Sequence, residues 1–217
     1  MSQSFDPTYD VVEIFHSVQG EGLYAGTPMT FIRFVGCSVG KKICHHCDTD
    51  FDTALNWKGG GRFSVEELAG KVPEAMQHVC FTGGEPLNQT LFPLVDALLQ
   101  RGKSLHMETS GTVHSEELRT LAPNVYICVS PKPGFLDTVI RLADEIKVIV
   151  PGLGNGPGWP SLKDAIDWAE GGKLVYIQPR NAKHDVDQLN LRTCLDLVQA
   201  YPSLRLSVQL HKFLVVQ

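Results

Sequence analysis

Apolar residues fall along this chain in two alternating rhythms. Short runs rich in β-branched and aromatic residues predict strands at Val11–Phe15, Met29–Phe34, His78–Thr82, Ser104–Glu108, Val125–Val129, Glu145–Val150, Lys173–Gln178 and Arg205–Gln209. Between them the spacing lengthens to that of a helix. Leu91, Leu94, Val95, Leu98 and Leu99 mark one face of a helix within Thr90–Gln100, and Leu162–Glu170 and Leu189–Ala200 read the same way. Ser64-Val65-Glu66-Glu67 is a capping box that opens an earlier helix. Strands alternating with helices predict βα units, right-handed crossovers and a mostly parallel sheet. The units are too few for an eight-fold barrel, and about six of them predict an α/β fold, an open, partial (β/α)6-type barrel. The Gly/Pro-rich stretch 151–160 reads as a surface loop between a strand and a helix, with a lid over the site as the alternative.

In such sheets ligands meet the C-terminal ends of the strands. Four predicted strands end in polar or glycine residues: Thr82-Gly83-Gly84-Glu85, Glu108-Thr109-Ser110-Gly111, Ser130-Pro131-Lys132 and Gln178-Pro179-Arg180-Asn181. They point to one shared mouth. A length of 217 residues with 43% hydrophobic content suits a single domain over 1–217 with a sizeable core. The net charge is −5 with no strongly basic stretch, which argues against a nucleic-acid partner. The first six residues carry neither a basic nor an apolar signal region, and no apolar run approaches the ~18 residues of a membrane span. The expectation is a soluble, cytoplasmic protein without a membrane partner.

Six cysteines in a non-secreted chain are expected as thiols rather than disulfides. Cys80, Cys128 and Cys194 lie in apolar segments and read as buried core thiols. Cys37, Cys44 and Cys47 lie in a loop rich in Gly, Lys and His, where packing does not explain them. Three thiolates hold three irons of a four-iron cluster and leave the fourth iron open for an exogenous ligand. Zinc held by the three cysteines and a histidine, His45 or His46, is the alternative. Against it, no second Cys/His pair sits at finger spacing, and a chain of this size needs no metal staple. About 35 residues after Cys47 comes Gly83-Gly84-Glu85-Pro86. Its glycines let a backbone approach a ligand closely, a free carbonyl or carboxylate there can hold an α-amino group, and Pro86 suits the first turn of a helix. Alone, the segment also reads as a plain turn.

The pairing of the two motifs resembles the radical S-adenosylmethionine (radical SAM) superfamily. The resemblance implies a 4Fe-4S cluster on Cys37, Cys44 and Cys47, S-adenosylmethionine held through its amino group by the Gly-Gly-Glu segment, and reductive cleavage to a 5′-deoxyadenosyl radical. The superfamily's usual spacing is Cys-x3-Cys-x2-Cys; here the first gap is six residues, which lengthens the loop and keeps the ligand set. A narrower likeness runs from residue ~10 to the terminus. Glu13-Ile14-Phe15-His16-Ser17-Val18-Gln19-Gly20-Glu21-Gly22, Phe31-Ile32-Arg33-Phe34-Val35-Gly36-Cys37, Cys47-Asp48-Thr49-Asp50-Phe51, Cys128-Val129-Ser130-Pro131-Lys132 and Gln209-Leu210-His211-Lys212 are similar to the 7-carboxy-7-deazaguanine synthase family. That family tolerates a variable first cysteine gap. It implies a lyase that converts 6-carboxy-5,6,7,8-tetrahydropterin to 7-carboxy-7-deazaguanine and ammonia, on the route to queuosine and other deazapurines. Hydrogen is taken from C6, the ring contracts under the direction of a magnesium ion on the substrate carboxylate, and the cofactor is regenerated.

The same resemblance implies roles for individual residues. Val18, Gln19, Gly20, Arg33, Thr82 and the terminal carboxylate of Gln217 correspond to substrate contacts. Gly84, Ser130, Pro131, Lys132, Gln178, Pro179, Arg180 and Asn181 correspond to contacts with S-adenosylmethionine; Arg180 and Asn181 depart in side chain, so contacts there would be through backbone. Thr49 corresponds to the magnesium ligand, with Asp48 and Asp50 orienting waters. The chemistry suits these roles. A guanidinium holds a carboxylate in two parallel bonds, Gln19 offers donor and acceptor to a pterin edge, and magnesium completes its octahedron with waters and substrate oxygens. The competing readings are an ion-pair arginine, an ordinary turn at Gln19 and a capping threonine. Glu108 is a candidate for the ribose, and His211 with Gln217 closes the pocket, the apolar tail drawing Gln217 inward; a frayed terminus is the alternative. His45 and His46 are not needed as ligands. No side chain is assigned as catalytic, since the radical comes from the cofactor. The family further implies an electron donor such as flavodoxin and a homodimer. A glycyl-radical activating enzyme shares the cysteines and Gly-Gly-Glu, but Arg33, Thr49 and the Gln-Gly-Glu-Gly turn speak against it. A non-catalytic zinc-binding module is the rival from another class; colourless rather than brown anaerobic protein would mark it.

Overall fold

A computed structural model of the chain describes residues 7–40, 43–44, 47, 59–151, 153–154, 156–181 and 185–214. Among them, one sheet contains β1 (Thr8–Val18), β2 (Pro28–Phe34), β3 (Gly61–Ser64), β4 (His78–Gly83), β5 (Ser104–Thr109), β6 (Val125–Val129), β7 (Glu145–Val150), β8 (Leu174–Pro179) and β9 (Arg205–Leu206). Their order is β3-β1-β2-β4-β5-β6-β7-β8-β9. β1 runs antiparallel to β2 and β3. β2 and β4 through β9 run parallel to one another. Helices α1 (Val65–Gly70), α2 (Phe92–Gln100), α3 (Leu118–Leu121), α4 (Asp137–Leu142), α5 (Leu162–Glu170) and α6 (Gln188–Ala200) lie in the connections between successive parallel strands, and α7 (Leu210–Leu214) follows β9. The described residues thus form six βα units on an open sheet, the partial barrel that the alternation predicts.

Local chemistry accounts for the elements. Ser64 caps α1 and Ser161 caps α5, each in a reciprocal capping box. Leu68, Leu94, Leu98, Leu118, Val139, Ala165 and Cys194 of the helices pack in one core with Ile32, Phe81, Met107, Ile127, Val148 and Ile177 of the strands. Side chains alternate along a strand, so Arg33, Thr82, Glu108, Cys128, Lys147 and Gln178 face the other way, into the concave side of the sheet. Cys80, Cys128 and Cys194 are all buried, as their apolar settings predict.

Differences from the sequence reading lie in β1, which runs over Thr8–Val18 where the pattern predicts Val11–Phe15, and in short pieces. β3, Gly-Arg-Phe-Ser, has no alternation of its own and is a strand because β1 pairs with it from Thr8 to Val11. α3 has four residues and α4 six, too short to show a helical period. β9 stops at Leu206 instead of Gln209: Ser207 N–H makes a last bond to Ile177 O at 3.0 Å, and by Leu210 the backbone N–H has turned to Gly20 O at 2.9 Å.

Candidate functional site

β4 ends in Gly83, whose φ of +118° only glycine adopts without strain. The chain then crosses to the loop that follows β2: Gly84 N–H donates to Phe34 O at 3.1 Å and Glu85 N–H to Gly36 O at 2.8 Å. A Cβ on Gly84 would stand 1.7 Å from Gly36 O and 2.9 Å from Cys37 N. The Gly-Gly-Glu segment and the first cysteine are therefore in direct backbone contact. Glu85 is fully buried, and its carboxylate accepts from Thr109 Oγ1 at 2.7 Å, Ser110 N at 2.9 Å and Ser110 Oγ at 2.5 Å. Of the two groups that the sequence offers for an amino group here, the carboxylate is committed to the end of β5, which leaves the backbone.

Cys37 and Cys44 are half-buried, Cys47 is exposed, and none of the three is in a disulfide. Cys44 N–H donates to Gly40 O at 3.1 Å and Cys47 N–H to Cys44 O at 3.0 Å, a tight turn that brings the last two together. Burial pushes the Cys44 thiol up; Lys132 pulls it down, and Cys47 and Cys37 push it up further as like charges. Burial in turn lowers the Lys132 ammonium, and Cys44 opposes that. Lys132 reaches back to Ser130, at 2.8 Å to its carbonyl and 2.6 Å to its hydroxyl. Three neighbouring thiols that repel one another as anions suit a cationic iron cluster. Among the described residues no three Cys, His, Asp or Glu side chains already stand at metal-ligating geometry. Thr49, Asp48, Asp50, His45, His46 and Gln217 lie outside the described residues.

The Val18-Gln19-Gly20 segment arrives from the opposite end of the sheet. β1 is antiparallel, and Val18 pairs with Pro28 at the start of β2. From there residues 19–27 fold inward. Gln19 Nε2 donates to Glu108 Oε1 at 3.1 Å, and Gly20 O accepts from Leu210 N at 2.9 Å. Gly22 N–H donates to Ser207 Oγ at 3.1 Å. The loop therefore links β1 near one edge of the sheet to the segment after β9 at the other. His211 packs its imidazole against Gly20, where a Cβ would stand 2.2 Å from Nδ1.

Inside the concave face lies a charge cluster of which the sequence reading singled out only Glu108, as a candidate for the ribose; its carboxylate is held here by Gln19 and Lys147. Lys147 Nζ, 3% exposed, donates to Glu21 Oε2 at 2.5 Å and to Glu108 Oε2 at 2.6 Å. Gln209 Nε2 donates to Glu21 Oε1 at 2.7 Å. Burial pushes the Glu21 carboxyl up, but Lys147, Gln209 and His211 more than offset it and hold it at about 2. At Glu108 burial prevails over Lys147, and Glu21 adds like-charge repulsion, so that carboxyl is raised. Glu145 accepts from Leu23 N at 2.8 Å and Tyr126 Oη at 3.1 Å. Below them His106 bonds His78 ring to ring at 3.0 Å, with Tyr24 edge-on at 4.4 Å between ring centres. Burial, then His78, lowers His106 to about 4. The sequence did carry a signal for the cluster: Glu145 and Lys147 alternate with apolar residues along one strand.

Arg33 and Thr82 are register partners on β2 and β4. Arg33 Nε donates to Glu13 Oε1 at 2.8 Å, and its guanidinium lies 5.4 Å from the centre of the Phe15 ring. Gln178 and Pro179 end β8 and are buried. Arg180 N–H donates to Val150 O at 2.8 Å, its carbonyl accepts from Asn190 Nδ2 at 2.8 Å, and Asn181 Nδ2 donates to Gln209 at 3.1 Å. Ser130 and Pro131 follow β6 directly, with Ser130 N–H on Thr109 O at 2.8 Å.

No family model matches the chain. The 7-carboxy-7-deazaguanine synthase of Burkholderia multivorans is 35% identical over 226 aligned positions, covering 95% of this chain and 98% of that protein. The protein of the same name from Bradyrhizobium diazoefficiens is 33% identical, covering 97% and 100%. That of Escherichia coli K12 is 31% identical, covering 95% and 98%. Among solved structures, QueE from Escherichia coli matches with a TM-score of 0.70 at 28% identity, covering 93% of this chain and 94% of that one.

Proposed function

The chain belongs to the 7-carboxy-7-deazaguanine synthase family, and we propose that, as a radical SAM lyase of queuosine biosynthesis, it converts 6-carboxy-5,6,7,8-tetrahydropterin to 7-carboxy-7-deazaguanine and ammonia. When bound, the 4Fe-4S cluster and S-adenosylmethionine supply the 5′-deoxyadenosyl radical that abstracts hydrogen. The protein's own part is to bind, orient and exclude water. Cys37, Cys44 and Cys47 hold the cluster. The backbone of Gly83-Gly84 receives the amino group of S-adenosylmethionine, with Ser130, Pro131 and Lys132 beside it and Gln178, Pro179, Arg180 and Asn181 along its far side. Val18, Gln19, Gly20, Thr82 and Arg33 hold the pterin, Thr49 helps to hold magnesium on the substrate carboxylate, and Gln217 closes the pocket. Lys147 keeps Glu21 and Glu108 compensated inside the barrel, so that Gln19 stands at a fixed height against the substrate. The reading extends to one domain over 1–217, a homodimer, a flavodoxin-type electron donor and a cytoplasmic setting. No described helix is long and apolar enough to cross a membrane.

One observation carries this reading beyond family membership: Gly84 lies against Gly36 and Cys37 with no room for a side chain. That contact supports the reading, since it brings the backbone proposed for the amino group next to Cys37, within reach of one ligand shared with a cluster there. The test is anaerobically reconstituted, reduced protein with S-adenosylmethionine, magnesium and 6-carboxytetrahydropterin, followed by mass spectrometry. The expected result is 7-carboxy-7-deazaguanine, lost on Cys44→Ala. No product from protein with a full four-iron complement would overturn the substrate and leave the superfamily chemistry standing.

A further inference from the structure

Arg33 and Glu13 face each other as the last pair of a regular ladder that runs from Val18 and Pro28. β1 and β2 pair Val11 with Phe34 and Glu13 with Arg33, so the register slips by one residue at Val12. Side chains alternate along both strands, so Glu13 and Arg33 lie on the concave face with Phe15 and Phe31, while Ile14 and Ile32 turn to the helix-packed core. The bulge directly beyond that pair turns Val11 to the helix-packed core, so the ladder's regular pairing ends at Glu13 and Arg33. It is braced from outside: a Cβ on Gly60 would stand 2.0 Å from Val12 O and 2.8 Å from Val11 O. The bulged carbonyl thus fits against the chain only because residue 60 is glycine.

The pair gives the guanidinium a seat. Glu13 takes the Nε edge at 2.8 Å, and the Phe15 ring, itself stacked on Phe31 at 4.9 Å and 8°, supports the plane from one side. Both side chains are largely buried, 19% exposed for Arg33 and 12% for Glu13. An arginine has several rotatable bonds, and its selectivity for a carboxylate depends on which edge of the plane is turned to the ligand. A fixed partner on Nε, with an aromatic face beneath, sets that edge before the ligand arrives and spares the entropy of ordering the side chain on binding. We infer that Glu13, paired with Arg33 across the β1–β2 ladder, is a positioning residue for Arg33 and tunes recognition of the substrate's 6-carboxylate. The inference rests on Arg33 receiving that carboxylate.

The test is a set of anaerobic binding measurements on the reconstituted holoenzyme with S-adenosylmethionine. Two ligands are compared, 6-carboxytetrahydropterin and tetrahydropterin without the 6-carboxyl, and the readout is the ratio of their dissociation constants. Arg33→Ala should abolish the preference for the carboxylated ligand. Glu13→Ala should lower it by about 10-fold, the scale of a charge-assisted hydrogen bond, and Glu13→Gln, which keeps an acceptor, should restore most of it. Glu13→Ala added to Arg33→Ala should change nothing further. An unchanged or larger ratio in both Glu13 variants would overturn the positioning role while the Arg33 assignment stood. So would a further effect of Glu13→Ala in the Arg33→Ala background. A preference that survives Arg33→Ala would instead remove the assignment beneath it.

Discussion

At the scale of single residues, glycine is required at position 84 by contact rather than by conformation. Its φ is not in the left-handed region, yet an added Cβ would overlap the backbone oxygen of Gly36 at 1.7 Å. Backbone does not step aside cheaply, so Gly84→Ala must separate the β4 end from the cysteine loop. Losing a hydrogen bond to the charged amino group costs about 1.5–3 kcal/mol, so a fall of about 10- to 100-fold in S-adenosylmethionine affinity is expected in equilibrium dialysis of the reconstituted protein. Gly70→Ala is the control: nothing lies within 4 Å of its added Cβ at the end of α1, and it should leave affinity unchanged and raise stability by about 0.5–1 kcal/mol. This segment was legible in the sequence as a candidate because paired glycines directly after an apolar run serve either a turn or a close backbone approach. The use of Glu85 was not, since the acceptor that looked available to a ligand is taken by Thr109 and Ser110 from a different strand. The sequence reading likewise passed over Lys147, a cation in an otherwise apolar strand, because its partners Glu21 and Glu108 are 126 and 39 residues away.

At the scale of elements, what could be read was what repeats. Strands such as Val125–Val129 and Glu145–Val150 and the helix Leu162–Glu170 announce themselves through period and flanking turns, and the structure has them at the same bounds. The direction of β1 did not announce itself, because antiparallel pairing is decided by its neighbours β2 and β3. With it went the inward course of residues 19–27. That loop is tied by the cluster: Glu21 on the loop, Glu108 on β5 and Lys147 on β7. Removing the cation should therefore loosen three elements at once. Lys147→Met leaves two buried carboxylates without their counter-ion, and breaking such a pair costs about 3–5 kcal/mol. Urea unfolding should show that loss, and Glu108→Gln in the Lys147→Met background should return part of it. If the double variant is no more stable than Lys147→Met, the carboxylate of Glu108 is not what the lysine compensates.

At the scale of the whole molecule, the concave face holds titratable groups whose shifts act in different pH windows. Glu21, held at about 2 in the folded chain against 4.5 in its ordinary range, binds fewer protons folded than unfolded between those values. Its contribution to stability is present above the ordinary carboxylate range and is lost as pH falls toward 2. Glu108 is raised, so it works in the opposite sense just above the carboxylate range, gaining stability as it protonates. His106 acts earlier than Glu21 during acidification. Burial, with His78 3.0 Å away, lowers it from 6.5 to about 4, so between those values the unfolded chain takes up a proton that the folded chain refuses. The His106 share of stability then declines as pH falls from 6.5 to 4, by up to about 3 kcal/mol at 1.36 kcal/mol per unit, against the opposing gain at Glu108 near the carboxylate end of that window. Chemical denaturation at a series of pH values should show this decline as the difference between the wild-type chain and a His106 variant. His106→Gln keeps a polar side chain beside His78 and Tyr24 but has no proton to take up. Its curve should run flatter than the wild type's across pH 6.5 to 4 and parallel to it below 4, where Glu21 governs both. Curves that stay parallel through the upper window would mean that His106 is protonated in the folded chain, and that the polar floor of the barrel admits a charge.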